Sequence, residues 1–209
     1  MDTDAHEVHC IFRKIGSAGI VILERDGILL KHKLLQRDLM LGDINDKLVE
    51  MLRQLREQNV LFGFLSRQTG VAGGFDDWSE YVGLTRMLDE LLNVRGALPD
   101  FWLAWSARRR KAEPQHRNNT WRRPDAGTIL RAIEWYGIDK NRAVVVSSSS
   151  AGVLAGKDAG ITGIQYSGWR NDQADPGRAT ETPRVALPPE ITEVRGLRAT
   201  LERILGLAR

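Results

Sequence analysis

The sequence predicts an α/β fold, a three-layer sandwich with a central parallel sheet, and three observations carry that expectation. Short apolar runs rich in β-branched and aromatic residues recur at 19–23, 60–65, 101–105, 143–146 and 162–166. Longer stretches between them repeat their apolar residues at helical spacing. The short runs show little polar alternation, as strands covered on both faces do, and strands that alternate with helices join by crossovers into a parallel sheet.

Each element has its own justification. Residues 19–23 form the first strand, which runs into a turn at Glu24-Arg25-Asp26-Gly27. A first helix spans 45–58, with Leu48, Met51, Leu52 and Leu55 on one face and Asp43 or Asn45 as N-cap. The second strand, 60–65, opens into the polar, glycine-rich stretch 66–74. The next helix begins at Asp76 or Asp77 and buries Trp78, Tyr81, Leu84, Met87, Leu88 and Leu91. After the strand 101–105 comes a long polar connection, 106–124, in which Arg108, Arg109, Arg110, Lys111, Arg117, Arg122 and Arg123 face Glu113 alone. A helix over 126–136, apolar at Ile129, Leu130, Ile133 and Trp135 and capped by Gly137, leads to the strand 143–146. The polar loop 147–150, a short helix at 152–159, the strand 162–166 and a last helix at 191–207 complete the chain. Trp78, Trp102 and Trp135 are expected in the core. The domain organisation is an N-terminal extension, 1–18, and a single domain, 19–209, that includes the last helix.

Composition narrows the function classes. A chain of 209 residues that is 42 % hydrophobic and 27 % charged can bury one full core and is no disordered polymer. No apolar run approaches the roughly 18 residues of a membrane span. The N-terminus is acidic and polar where a secretory signal is basic and then apolar, so a cytoplasmic chain without membrane contact is expected. Cys10 stands alone, which excludes an intramolecular disulfide and a multi-cysteine zinc or iron-sulfur centre. The histidines His6, His9, His32 and His116 are scattered, and His6 with His9 reads as a solvated terminus rather than a metal site. Thirty basic against 27 acidic residues give a net charge of +3, too small a balance to imply a nucleic-acid partner.

Ligands on such sheets bind beyond the carboxyl ends of the strands, which here are the loops starting at Glu24, Ser66, Ser106 and Ser147. Four stretches stand out there: Glu24-Arg25-Asp26-Gly27; Ser66-Arg67-Gln68-Thr69-Gly70-Val71-Ala72-Gly73-Gly74; Arg122-Arg123-Pro124-Asp125-Ala126-Gly127; and Val146-Ser147-Ser148-Ser149-Ser150-Ala151-Gly152. In order and spacing they resemble the motifs of the haloacid dehalogenase superfamily, particularly its heptose bisphosphate and histidinol phosphate phosphatases, over roughly residues 19–166. The family's first motif is Asp-Arg-Asp-Gly, whose first Asp attacks phosphorus and whose second exchanges protons with the leaving group. Glu24 and Asp26 hold those places. The second stretch is similar to the family's phosphate loop. The third puts Arg123 where a phosphate-clamping lysine belongs. The fourth keeps the scaffold, with Ser148 and Gly152 in the places of two metal-binding acids. Relatives also hold a structural zinc through cysteines in the loop before the third motif, and here that loop has only His116.

The resemblance implies a Rossmannoid fold, and the short stretch between Gly27 and the helix at 45 leaves no room for a large cap domain. It implies phosphate monoester chemistry, which needs an attacking carboxylate, Mg²⁺ held by acids, a cationic clamp and a proton donor. Glu24 adds one methylene, about 1.5 Å, and a misplacement of about 1 Å can cost on the order of 10²-fold. Without acids at 148 and 152, no Mg²⁺ and no zinc are expected. The reading is therefore a degenerate site that binds a small phosphorylated or other anionic ligand. Glu24 and Asp26 occupy the catalytic places, Ser66, Arg67 and Arg123 hold the phosphate, and Arg108, Arg109, Arg110 and Arg122 form a substrate loop that focuses positive potential. Other readings stay open. Glu24 is alternatively a strand-end carboxylate neutralised by Arg123 or Arg25, and Asp26 the residue of an Asp-Gly turn. An active hydrolase would use Glu24 and Asp26 with a metal supported by Asp158 or Asp172. A protein-binding scaffold would present Leu197, Leu201, Ile204 and Leu205 of the last helix, residues equally able to pack on the parent sheet. Trp121 beside Arg122 could stack a base, but with no recognised module and no broad basic stripe nucleic acid is disfavoured.

Overall fold

The computed structural model describes residues 18–31, 39–68, 75–106, 124–169 and 190–207. Its centre is a sheet of five parallel strands: β1 (Gly19–Glu24), β2 (Val60–Gln68), β3 (Phe101–Ser106), β4 (Ala143–Ser147) and β5 (Thr162–Gln165), in the order β3-β2-β1-β4-β5. The helices are α1 (Asp46–Glu57), α2 (Phe75–Val94), α3 (Pro124–Tyr136), α4 (Ser150–Asp158) and α5 (Val194–Leu205). Strand alternation sends Val21, Leu23, Phe62 and Phe64 to one face, where they meet apolar residues of α1, α2 and α5. Ile20, Ile22, Leu61 and Leu65 point to the other, against α3 and α4. The predicted three-layer α/β sandwich is therefore present. The chain moves outward from β1 through β2 to β3, then returns to the far side of β1 for β4 and β5. The sheet order reverses between β1 and β4, and such a reversal opens the ligand crevice of α/β sheets.

Local chemistry sets the element ends. Asn45 caps α1 by accepting the N–H of Leu48, which decides between the two expected caps. Gly137 follows α3 with φ +61°, the left-handed cap expected of it. β2 runs on to Gln68, so Ser66 lies inside a strand instead of opening a loop; the cause is pairing with β3 at Ser66, Arg67 and Gln68. α4 starts at Ser150, two residues early, because Ser149 caps it. The last helix starts at Val194 instead of 191. Ile191 pairs instead with the end of β5, its N–H bonding Gln165 O at 2.9 Å and its carbonyl accepting Ser167 N–H at 3.0 Å. Trp102 is buried as expected, but Trp135 is 49 % exposed. The buried stripe of α3 is Ile129, Ala132, Ile133 and Tyr136, and Trp135 falls off that spacing. Leu197, Leu201 and Leu205 of α5 belong to the core, with Ile204 packed against it, so of the two uses weighed for them these residues take packing on the parent sheet. Among the described residues, no helix is long and apolar enough to cross a membrane.

One glycine in the sheet is required by a neighbour. Gly63 of β2 sits under the ring of its partner Phe101, and a Cβ there would lie 2.3 Å from Cδ2. Phe101 is fully buried and leans on Tyr136, ring centres 5.6 Å apart, so it has nowhere to go. Gly63→Ala is expected to destabilise the protein by about 1–3 kcal/mol, the cost of overpacking, as read by urea denaturation.

Candidate functional site

Glu24 is the last residue of β1 and Ser147 the last of β4, so the two end side by side at the crevice where the strand order reverses. Alternation puts both on the α3–α4 face: Ile20 and Ile22 precede Glu24, and Ala143 and Val145 precede Ser147. The Glu24 carboxylate, with its residue 8 % exposed, reaches across to β4. Its Oε2 takes three donors: Ser147 Oγ at 2.7 Å, the backbone N–H of Ser148 at 2.8 Å and Ser148 Oγ at 3.0 Å. Ser147 Oγ in turn accepts the Ser149 N–H at 3.1 Å, and Ser149 Oγ caps α4 through the N–H of Gly152. A carboxylate at the N-terminal end of a helix also gains from its dipole. Two glycines leave space for this seat. A Cβ on Gly152 would lie 2.1 Å from Ser147 Oγ, and one on Gly27 would lie 2.7 Å from Ser148 Oγ.

Residues 25–30 fold into a compact turn beside the seat. The carbonyl of Arg25 accepts the N–H groups of Leu29 at 3.0 Å and Leu30 at 2.9 Å, and the Gly27 N–H reaches Leu30 O at 2.7 Å. Gly27 turns the chain with φ +84°. Asp26, partly exposed, is gripped by its neighbour: Arg25 Nε donates to Oδ1 at 2.9 Å and Nη2 to Oδ2 at 3.1 Å. The expected pairing of Arg25 with Glu24 is thus replaced by a fork on Asp26. That fork engages both carboxylate oxygens as acceptors and holds Asp26 against its neighbour.

Ser66 is buried in β2, one residue past Leu65, whose carbonyl accepts the Arg25 N–H at 2.9 Å. Alternation places it on the face of Phe62 and Phe64, opposite that of Glu24. Glu24 and Ser148 thus meet at the carboxyl ends of β1 and β4 with Asp26 in the turn beside them, and Ser66 lies near the carboxyl end of β2 on the other face. Asp158 is not among them: it ends α4, eight residues from the helix start and about 12 Å along its axis. The side chain of Arg67 lies outside the described residues, as do Arg108, Arg109, Arg110, Arg122, Arg123, His116 and Asp172. Two participants are not evident from the motifs. Ser147, expected in the loop 147–150, ends β4 instead, and a serine ending a buried apolar strand beside an acid is the signal that marks it. Arg25, expected only as a neutralising charge, forks onto Asp26.

The divalent ion implied by the family resemblance can be tested against this geometry. Mg²⁺ requires a near-octahedral set of oxygens at about 2.0–2.1 Å, carboxylates foremost. Here the only acid of the expected ligand positions is Glu24, and its Oε2 is already saturated by three donors, one of them a backbone N–H that no metal can share. Among the described residues, no group of three His, Cys, Asp or Glu side chains could hold a metal ion. The described residues at these positions do not fit the ion.

No family model matches the chain. It is 27 % identical over 143 residues to a D-glycero-beta-D-manno-heptose-1,7-bisphosphate 7-phosphatase of Mesorhizobium japonicum, a match covering 67 % of this chain and 62 % of that protein. This chain thus spans less than two thirds of that relative's length. Among solved structures, a candidate HAD-like phosphatase of Mesorhizobium loti superposes with a TM-score of 0.70 at 19 % identity, covering 97 % of this chain and 94 % of the other. The D,D-heptose 1,7-bisphosphate phosphatase of B. bronchiseptica, solved with magnesium and phosphate, superposes with a TM-score of 0.59 at 15 % identity, covering 91 % of this chain and 99 % of that one. At these identities the two superpositions establish a common fold.

Proposed function

We propose that this chain is a member of the haloacid dehalogenase superfamily, a phosphatase homologue that binds a phosphorylated ligand and is impaired in metal-assisted hydrolysis of phosphate monoesters. The observation that carries the reading is the seat of Glu24. The side chain in the nucleophile's place has its Oε2 turned toward Ser147 and Ser148, where three hydrogen bonds hold it. Those bonds fix the orientation of the carboxylate, so attack on phosphorus falls to Oε1, the oxygen the seat leaves out, on a side chain one methylene longer than the family's nucleophile. Asp26, in the proton donor's place, is tied in the fork with Arg25. What the site retains suits binding: Ser66 near the carboxyl end of β2, the capped N-terminus of α4, and Arg67 and Arg123 in the motif positions that hold phosphate. Sugar phosphates are the ligand class to try first, because the relatives are named for a sugar bisphosphate.

The test is a phosphatase assay on a panel of sugar phosphates, with and without millimolar Mg²⁺, beside thermal melts in phosphate and in Mg²⁺. Phosphate is expected to raise the melting temperature, Mg²⁺ to leave it unchanged, and turnover to stay at background. Mg²⁺-stimulated turnover that disappears in Glu24→Gln and in Asp26→Asn would overturn the reading.

A further inference from the structure

We infer that Arg25 is a ligand-binding residue of this site, its guanidinium Nη1 receiving an oxyanion of the bound molecule, a phosphoryl or carboxylate oxygen. The inference rests on the anion-binding reading above and adds to it a residue and a contact.

Arg25 is among the largest fully buried side chains of the protein, at 1 % exposure. A guanidinium carries five N–H donors in a fixed fork, and burying one is costly unless its donors are met. One edge is met by Asp26 through Nε and Nη2. Nη1 is buried and has no hydrogen-bond partner. A buried donor on a charged group left in this state opposes folding, and its retention calls for a cause outside packing.

Position supplies the cause. Arg25 directly follows β1, at the carboxyl edge where ligands of such sheets bind. Its backbone is fixed on both sides: the N–H bonds Leu65 O and the carbonyl takes Leu29 and Leu30. The ring of Tyr81 from α2 lies 5.9 Å from the guanidinium carbon, so the side chain is held from below as well. Ser66 follows Leu65, the residue whose carbonyl holds the Arg25 N–H, and by strand alternation lies on the face of the sheet that packs on α2, the helix of Tyr81. A preorganised guanidinium with one end satisfied internally and the other left over is suited to a planar or tetrahedral oxyanion, as a flexible ammonium is not. Asp26 then acts as the residue that aims Arg25, a role that needs no proton transfer.

Isothermal titration of the full chain with inorganic phosphate tests this. Native protein is expected to bind. Arg25→Gln should bind at least about tenfold more weakly and Arg25→Lys, which keeps the charge without the fork, should fall between. Asp26→Asn keeps one acceptor of the fork that aims Arg25 and should lose affinity, but less than Arg25→Gln; affinity lost in Asp26→Asn and retained in Arg25→Gln would overturn the inference. Unchanged affinity in Arg25→Gln would overturn it too while leaving the anion-binding reading intact, whereas no binding by native protein would overturn both. Should the Arg25 variants fail to fold, a crystal of native protein grown with phosphate decides. An oxyanion within hydrogen-bonding distance of Nη1 supports the assignment, and an ordered water on Nη1 with phosphate elsewhere defeats it.

Discussion

Asp100→Ala is expected to destabilise the protein by about 3–5 kcal/mol, the range for breaking a buried ion pair by removing one partner. Asp100 is 1 % exposed and precedes β3, at the end of the sheet away from the ligand crevice. It joins four elements. Its Oδ1 accepts from Arg56 Nη1 of α1 at 2.7 Å, and its Oδ2 accepts the Phe62 N–H of β2 at 3.0 Å. Its carbonyl accepts the hydroxyl of Tyr136 from α3 at 3.1 Å. Arg56 also donates to the carbonyl of Leu98 and lies over the Phe62 ring, 4.6 Å from its centre. Alanine would orphan the buried Phe62 N–H and leave Arg56 facing an apolar edge, while the backbone bond from Tyr136 survives. Asp100→Asn keeps an acceptor for one of the two side-chain partners and should lose less. Urea unfolding of the three proteins measures both effects. A loss below about 1 kcal/mol for Asp100→Ala would mean that the Arg56 pair is solvated in place of buried. Phosphate affinity should not change, because the pair lies at the opposite strand ends.

The layer architecture was legible because it is written in periodicity. Strands buried on both faces read as unbroken apolar runs, and α1 showed its stripe through Leu48, Met51, Leu52 and Leu55, every one of which is buried. What failed was local competition. Ile191 fits a helical pattern by composition but takes a bridge with Tyr166, since an apolar residue beside the open edge of β5 gains a strand partner. Trp135 is apolar yet exposed, because side-chain type does not reveal which side of the stripe a helical residue faces. At the site, the motif resemblance singled out Glu24, Asp26, Ser66 and Ser148: Glu24 and Ser148 are hydrogen-bonded to each other and Asp26 lies in the adjoining turn, while Ser66 sits within β2 on the other face of the sheet. The resemblance gave no access to partners. Whether Arg25 would grip Glu24 or Asp26 depends on the turn at Gly27, and whether Ser147 would be loop or strand depends on one further pairing of β4 with β5, between Ser147 and Gln165. Such choices are made by tertiary contacts worth about 1 kcal/mol each, below the resolution of a pattern.

Glu24→Asp combined with Ser148→Asp is expected to give a protein whose melting temperature rises by about 5–10 °C in saturating Mg²⁺, while native protein shows no rise. Shortening residue 24 by a methylene withdraws its carboxylate by about 1.5 Å from the three donors that now engage Oε2, and Ser148→Asp replaces one of those donors by an acceptor. Gly27, with no Cβ, avoids a clash with the side chain at 148. Gly152 is best left unchanged, since a Cβ there would meet Ser147 Oγ at 2.1 Å and force the end of β4 apart. Two carboxylates with the neighbouring carbonyl and hydroxyl oxygens form a hard donor set of the kind Mg²⁺ accepts. Ligand at 100 times its dissociation constant stabilises by about 2.7 kcal/mol, and in a chain of this size each kcal/mol moves the melting temperature by about 2–4 °C. Melts in MgCl₂ against NaCl of equal ionic strength, with and without EDTA, separate specific binding from screening. A shift in native protein would show that the seat of Glu24 opens readily to a cation, and the serine donors would then be a resting arrangement of a working metal site. No shift in the double variant would place the obstacle elsewhere, in Ser147, whose hydroxyl would still cap the space between the two acids; Ser147→Gly on the same background should then bring the Mg²⁺ response out.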